Sequence, residues 1–226
     1  MKDQISKYKD YQDYIDNQNR GYSNKVLTHS GVGVETVQQI QERIPTAERV
    51  MCHGTRAGAE QKFFMKVYDA EAIGTEIGEG CEQYDHTIQW DFHEQKDEWI
   101  QAFDIVYTNC FDHAVLPEKA LTTWFEQVKP GGSLVIEFHG GAYKGKPIRG
   151  NWTKVDPNNN YYYEDVDAFL ESIGAIYDCQ WQSPQMTFDK DIHLDSTIKR
   201  NQKKYNVTSV NPYTFGRRTA RYRRPE

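Results

Sequence analysis

The chain has 226 residues, a mass of 26.4 kDa and a formal net charge of −6. This length suits one α/β domain with additions, and it can bury an ordinary core without metals or disulfides. A general nucleic-acid binder needs a broad cationic face for counterion release, so the negative charge argues against that class. The basic run from Lys199 to Arg224 is typical of a solvated tail or strand edge, with an anionic-partner site as the alternative.

Apolar residues recur at helical spacing in two runs before the first strand. These are Ile5, Tyr8, Tyr11 and Ile15, and then Val34, Val37, Ile40 and Ile44. The pattern predicts an N-terminal helical flank over residues 1–46, laid as a lid or flank on a main domain of residues 47–226. The N-terminus has no apolar signal region and no run is long enough to span a bilayer, so we expect no membrane association and a cytoplasmic protein.

From residue 49 onward, strands and helices alternate. The predicted strands are 49–53, 72–76, 87–90, 103–108 and 133–138. The predicted helices are 57–69, 95–101 and 117–128, the last followed by a helix stop and turn at Lys129-Pro130-Gly131-Gly132. This order implies a mostly parallel sheet with right-handed crossovers, and ligands bind at the carboxyl ends of such strands.

The C-terminal third adds a smaller set of elements. A long loop, Gly140 to Asn160, is of a length that is usually functional, and a helix from Glu164 to Ile173 follows it. Strands are predicted at Ala175 to Trp181 and Tyr213 to Arg218, separated by an irregular stretch from Ser183 to Tyr205. Together they predict a hairpin added antiparallel to the sheet edge.

The four cysteines form no C-x-x-C pair. They are Cys52, Cys81, Cys110 and Cys179, and the first and third fall within segments predicted to be buried strands. Reduced core thiols are therefore the expected state.

The most informative segment runs from Glu48 to Glu76. An apolar strand stops at a glycine turn, feeds a helix and returns as a second strand that ends in an acid, which is how α/β proteins hold a nucleoside. The turn from Gly54 to Gly58 allows close backbone approach to a ligand. Glu76 lies roughly 20 residues further on, where a carboxylate accepts both ribose hydroxyls. A nucleoside cofactor is the first hypothesis.

Four motifs occur in an order and spacing that resemble one family. They are Cys52-His53-Gly54-Thr55-Arg56-Ala57-Gly58, Ile73-Gly74-Thr75-Glu76-Ile77, Phe103-Asp104-Ile105-Val106-Tyr107-Thr108-Asn109 and Val128-Lys129-Pro130-Gly131-Gly132. On these motifs the chain resembles a class I (Rossmann-like) S-adenosylmethionine-dependent methyltransferase. The resemblance implies a seven-stranded, mostly parallel sheet with helices on both faces and an antiparallel last strand. It also implies S-adenosylmethionine as cofactor, S-adenosylhomocysteine as product, and a small-molecule or glycan acceptor.

Two residues depart from the family pattern. The acid at the start of the first motif is Cys52 here, which removes a usual partner of the methionine amine. The middle glycine is Arg56, which reaches the methionine carboxylate as a bidentate donor in one interpretation and is a surface side chain in the other.

The resemblance implies cofactor contacts at the ends of the first four strands. They are His53, Gly54, Thr55, Arg56, Gly58, Glu76, Ile77, Asp91, Phe92, Asn109 and Asp112. Glu76 is expected to bind the ribose and Asn109 the methionine amine. Asp91 is expected to contact the adenine amine, with Phe92 alongside the ring, although Asp91 also suits a capping role.

Two histidines are candidate general bases, because imidazole titrates near neutral pH. His113 follows the fourth strand and His139 follows the fifth, although a structural role is the alternative for each. Trp152 and Tyr161 to Tyr163 predict either an aromatic platform for a sugar or simple packing.

Other functions fit the sequence less well. His86, Asp91, His93 and Glu94 match no metal-ligand spacing, so no metal is expected. An NAD-dependent oxidoreductase should show G-x-G-x-x-G, and a nucleic-acid methyltransferase an Asn-Pro-Pro-Tyr-like motif after the fourth strand. A catalytically silent methyltransferase-like domain, serving as a binding or assembly module, stays open because of Cys52.

Overall fold

The structure is a computed structural model that describes residues 1–24, 32–138, 157–158, 161–183 and 217–226. Its strands are β1 (Arg49–His53), β2 (Glu71–Glu76), β3 (Thr87–Gln89), β4 (Phe103–Thr108), β5 (Val128–Phe138), β6 (Ile176–Ser183) and β7 (Arg217–Arg223). Its α-helices are α1 (Tyr11–Asn24), α2 (Val34–Gln41), α3 (Ala59–Tyr68), α4 (Pro117–Gln127) and α5 (Tyr163–Ser172). None of these described helices is both long and apolar enough to cross a bilayer.

The strands form one sheet in the order β3-β2-β1-β4-β5-β7-β6. The pairs from β3 to β5 are parallel, whereas β7 runs antiparallel to both β5 and β6. The predicted seven-stranded, mostly parallel sheet with an antiparallel last strand is therefore confirmed. Because the strand order reverses between β1 and β4, a crevice opens at their carboxyl ends, where open α/β sheets bind ligands.

Both faces of the sheet are buried. Val50 of β1 packs with Ile40 of α2 and Phe64 of α3 on one face. Met51, the next residue, packs with Trp124 of α4 on the other face, in a cluster that also includes α5. Helix α2, which was predicted to belong to the N-terminal flank of residues 1–46, therefore packs in the main core. The boundary of that flank stays a prediction.

The helix predicted at 95–101 was wrong. Only one 3-10 turn forms there, from Asp97 to Trp99. The backbone N–H groups of Gln101 and Ala102 donate to the carbonyls of Glu126 and Gln127 at 2.8 and 3.0 Å. These two hydrogen bonds join the segment to the end of α4, instead of forming a helix within the segment.

The turn predicted at Lys129-Pro130-Gly131-Gly132 was also wrong, because β5 starts directly after α4. The N–H of Gly131 donates to the carbonyl of Arg224 at 3.1 Å, and the N–H of Arg224 donates to the carbonyl of Gly132 at 3.1 Å. The segment after β7 thus pairs with this glycine region and extends the strand. The last strand also lies later than predicted, over Arg217–Arg223, and residues 213–216 are outside the described part of the chain.

Candidate functional site

The turn after β1 is tied to the end of β2. The N–H groups of Gly54 and Thr55 both donate to the carbonyl of Thr75, at 2.8 and 3.0 Å. Three residues of the turn have left-handed backbone, with φ of 72° at Gly54, 49° at Arg56 and 72° at Gly58. The hydroxyl oxygen of Thr55 is buried and makes no hydrogen bond within the described residues. The turn is therefore a fixed backbone cradle at the crevice.

Glu76, the last residue of β2, is bonded to this turn. One carboxylate oxygen accepts the N–H of Arg56 at 3.0 Å, and the other accepts the N–H of Gly78 at 3.0 Å. A carboxylate has about four lone-pair sites, so each oxygen can still accept another hydroxyl. The two backbone donors fix the orientation of the Glu76 carboxylate.

A cleft of about 580 Å³ opens next to Ile77, the residue after Glu76, between α1 and the ends of β2 and β3, and Glu76 itself does not line it. Ile15 and Asn19 of α1 line one side, and Ile77, Trp90 and Asp91 line the other. This volume lies within the range of about 300–1,000 Å³ that small-ligand pockets occupy. Most of the lining is polar, with five acidic side chains, and Ile15, Ile77 and Trp90 supply the apolar surface on which a flat ring can lie.

Asp91 is already engaged by protein groups. It accepts hydrogen bonds from the Tyr11 hydroxyl at 2.6 Å, and from the His93 ring and N–H at 2.8 and 3.0 Å. Burial alone would raise the pKa of Asp91, but the bonds from His93 and Tyr11 lower it overall. Phe92 is buried in the core cluster. The predicted adenine contacts of Asp91 and Phe92 stay predictions, and the structural role of Asp91 is to anchor α1.

His53 points into the core. Its Nδ1 lies 2.8 Å from the Thr75 hydroxyl and its Nε2 2.8 Å from Gln127 Oε1, while its ring stacks on Trp124. Burial lowers the pKa of His53 to about 4, although the hydrogen bond to Gln127 acts in the opposite direction. The His53 side chain is therefore neutral and buried. A cofactor contact through the backbone atoms of His53 stays a prediction.

The segment after β4 carries the remaining predicted residues. Asn109 Nδ2 donates to Glu60 Oε1 at 3.4 Å, which joins the end of β4 to the start of α3. Asp112 is buried beside it. His113 is partly exposed, and its Nδ1 lies 3.2 Å from Gln18 Oε1 of α1. Asn109, Asp112 and His113 thus follow β4 at the same edge of the sheet as the β1 turn and Glu76.

Helix α1, which was predicted to lie as a lid or flank on the main domain, lies across this edge. Asn19 Oδ1 accepts the N–H of Glu79 at 2.9 Å, and the Tyr22 ring occupies the space where a Cβ at Gly78 would lie. Tyrosines at helical spacing predicted an amphipathic helix, but periodicity does not say which surface the helix covers. The structure places it on the crevice, as a cover over Glu76, Asp91 and His113.

Three predictions fall outside the described residues. They are His139, the loop from Gly140 to Asn160 except residues 157 and 158, and Trp152. Tyr161 and Tyr163 are buried and pack against Phe138, which favours the packing interpretation for these two aromatics. Within the described ranges, no three His, Cys, Asp or Glu side chains come together as a possible metal site.

The fold is shared with solved methyltransferase structures. Streptomyces coelicolor geranyl diphosphate C-methyltransferase, solved with Mg²⁺, geranyl diphosphate and S-adenosylhomocysteine, is 11% identical, with 93% of this chain and 97% of that chain covered and a TM-score of 0.66. A chain from the complex of the Haloferax volcanii Trm112 methyltransferase activator with a methyltransferase is 15% identical, with both chains fully covered and a TM-score of 0.62. The cyclase SpnF is 14% identical, with 85% and 81% covered and a TM-score of 0.60.

These likenesses define the fold: the chain has the fold of class I, Rossmann-like S-adenosylmethionine-dependent methyltransferases. The resemblance predicted from the sequence motifs is confirmed at this level. No protein-family model matches the chain, and no curated protein is similar to it in sequence.

Proposed function

We propose that the protein binds S-adenosylmethionine and transfers its methyl group to a small-molecule or glycan acceptor. The orientation of Glu76 carries this proposal: both its oxygens are fixed by backbone donors and retain capacity for two hydroxyls. The adjoining cleft, with Ile77 and Trp90, suits an adenine ring. Neighbours of the same fold were solved with S-adenosylhomocysteine and a small-molecule substrate, which supports the choice.

When bound, this cofactor supplies an electrophilic methyl group. The contribution of the chain is then mainly alignment, which can lower a barrier by about 7–11 kcal/mol. A base is needed only where the acceptor is a hydroxyl or a protonated amine, and His113, which contacts Gln18 of α1, is the first candidate for it, with His139 as the second. The net charge of −6 disfavours nucleic acid as acceptor, and free thiols suit the reducing cytoplasm.

Calorimetry with S-adenosylhomocysteine tests the proposal. Glu76→Ala should weaken binding by roughly 1.5–3 kcal/mol, since it removes a charged acceptor of hydrogen bonds. Glu71→Ala is the matched control, because Glu71 is an exposed acid at the opposite end of β2 and should leave affinity unchanged. No binding by the wild-type protein, or equal affinity in both variants, would contradict the assignment.

A second candidate is a catalytically silent binding or assembly module. Cys52 in place of an acid favours it, and so does the use of Asp91 to hold Tyr11. A turnover screen of hydroxyl-bearing glycans and small molecules with labelled adenosylmethionine separates the two functions. Loss of turnover in His113→Asn, with cofactor affinity intact, supports the base role. Cofactor binding without turnover on any acceptor favours the module.

A further inference from the structure

Glu60 is a buried acid that no sequence motif singled out. It is the second residue of α3 and is only 4% exposed. Its position in the first turn of the helix makes a negative charge tolerable there, because the N-terminal end of the helix dipole is positive. A helix start alone explains the tolerance, but it does not explain why the carboxylate is directed inward, toward Asn109 at the end of β4.

The inward direction is set by contacts with the ends of two strands. Glu60 Oε1 accepts a hydrogen bond from Asn109 Nδ2 at 3.4 Å, so the carboxylate reaches the residue directly after β4. Cys52 of β1 lies close enough that, after burial, the charge of Glu60 raises the pKa of its thiol. Cys52 is therefore neutral, and the acidic side chain on this side of the crevice belongs to α3 rather than to β1.

The amino-acid part of adenosylmethionine carries an α-ammonium group that needs a negatively charged or carbonyl acceptor. A buried carboxylate binds such a cation strongly when geometry and hydrogen bonds are satisfied. Resting on the function proposed above, we infer that Glu60 receives the α-ammonium group of the cofactor, with Asn109 positioning the carboxylate. The acid that β1 lacks at Cys52 is then supplied from α3.

The test compares S-adenosylhomocysteine with its analogue that lacks the α-amine, by calorimetry. The wild-type protein should bind the deaminated analogue about tenfold to a hundredfold more weakly. Glu60→Gln should bind S-adenosylhomocysteine about tenfold to a hundredfold more weakly than wild type and should no longer discriminate between the two ligands. Glu42→Gln, an exposed acid after α2, is the control and should discriminate as wild type does.

The wild-type comparison needs no mutation, so it holds even where Glu60→Gln folds poorly. Equal wild-type affinity for the two ligands overturns the inference. Retained discrimination in Glu60→Gln also overturns it, while the function proposed above stands. Failure of the wild-type protein to bind S-adenosylhomocysteine at all contradicts the proposed function itself, so the two failures are distinguishable.

Discussion

At the scale of single residues, the site is held by backbone conformations that side chains tolerate poorly. Arg56 has a φ of 49°, in the left-handed region that costs a non-glycine residue roughly 1–2 kcal/mol. The hydrogen bond from its N–H to Glu76 helps to maintain that conformation. The backbone N–H of Arg56 therefore orients the Glu76 carboxylate, independently of the contacts of the Arg56 guanidinium group.

Gly54 is the residue of the turn with the least room for change. A Cβ there would lie 2.4 Å from Cys110 Sγ and 2.8 Å from Cys110 Cβ. Gly54→Ala should lower the free energy of unfolding by about 1–2 kcal/mol for the left-handed φ and by about 1–3 kcal/mol more for the collision. Gly174→Ala is the matched control, because Gly174 also has a positive φ and nothing lies within 4 Å of its added Cβ. If urea denaturation gives the same loss of unfolding free energy for Gly54→Ala and Gly174→Ala, the contact with Cys110 does not destabilise the fold.

At the scale of elements, α1 is held on the crevice by polar contacts and by Tyr14, whose buried ring packs with Tyr8 and Val115. Tyr11 bonds Asp91, Gln18 approaches His113, and Asn19 accepts from Glu79. Elements joined to a fold by few contacts open locally at lower free energy than the core. The cover over the crevice should therefore open without unfolding of the sheet.

Tyr11→Phe tests that independence. The change removes the hydroxyl that bonds Asp91 while leaving the ring, and a bond to a charged acceptor is worth roughly 1.5–3 kcal/mol. Hydrogen exchange of the α1 amides should quicken by about tenfold or more, whereas exchange in β4 should not change. Tyr68→Phe, which removes a bond to the Ile44 carbonyl away from the crevice, should leave α1 unaffected. Faster exchange throughout the sheet would mean that α1 and the core unfold as one unit.

At the scale of the whole molecule, stability should depend on pH through His53. Its folded pKa of about 4 lies below its ordinary value of 6.5, so the unfolded chain binds the proton first. The stabilisation is full above pH 6.5 and is lost as the pH falls toward 4, at up to about 1.4 kcal/mol per pH unit. Asp91 and Asp104, whose pKa values are lowered from 3.8, lose their contributions at lower pH.

Urea denaturation between pH 7 and about pH 4.5 measures this dependence. His53→Gln should flatten the slope, because glutamine does not titrate, even if the variant is less stable at every pH. His86→Gln, at an exposed position, should keep the wild-type slope. If the free energy of unfolding depends on pH equally in wild type and His53→Gln, His53 is not the group responsible for that dependence.

Local signals predicted much of this fold. The bounds of β1 and β4 were predicted as they occur, because each is a short apolar run with turn residues at its end. The start of β5 was not, since it depends on pairing with Arg224, which lies far along the chain. The position of Glu76 at the end of β2 followed from spacing, and its role stays a prediction, whereas the engagement of Asp91 by Tyr11 depends on where α1 docks. Such contacts depend on tertiary packing, and no periodic pattern in the sequence predicts them.

The position of β7 has a consequence for synthesis on the ribosome. β5 and β6 are joined only through β7, which follows both of them in the chain. Because a nascent chain emerges from its N-terminus, the parallel strands can assemble while β6 still has no partner. During that interval the edge of β5 is open, and an unpaired strand edge can bind another chain. The sheet is therefore most exposed to misassembly immediately before its last strand is translated.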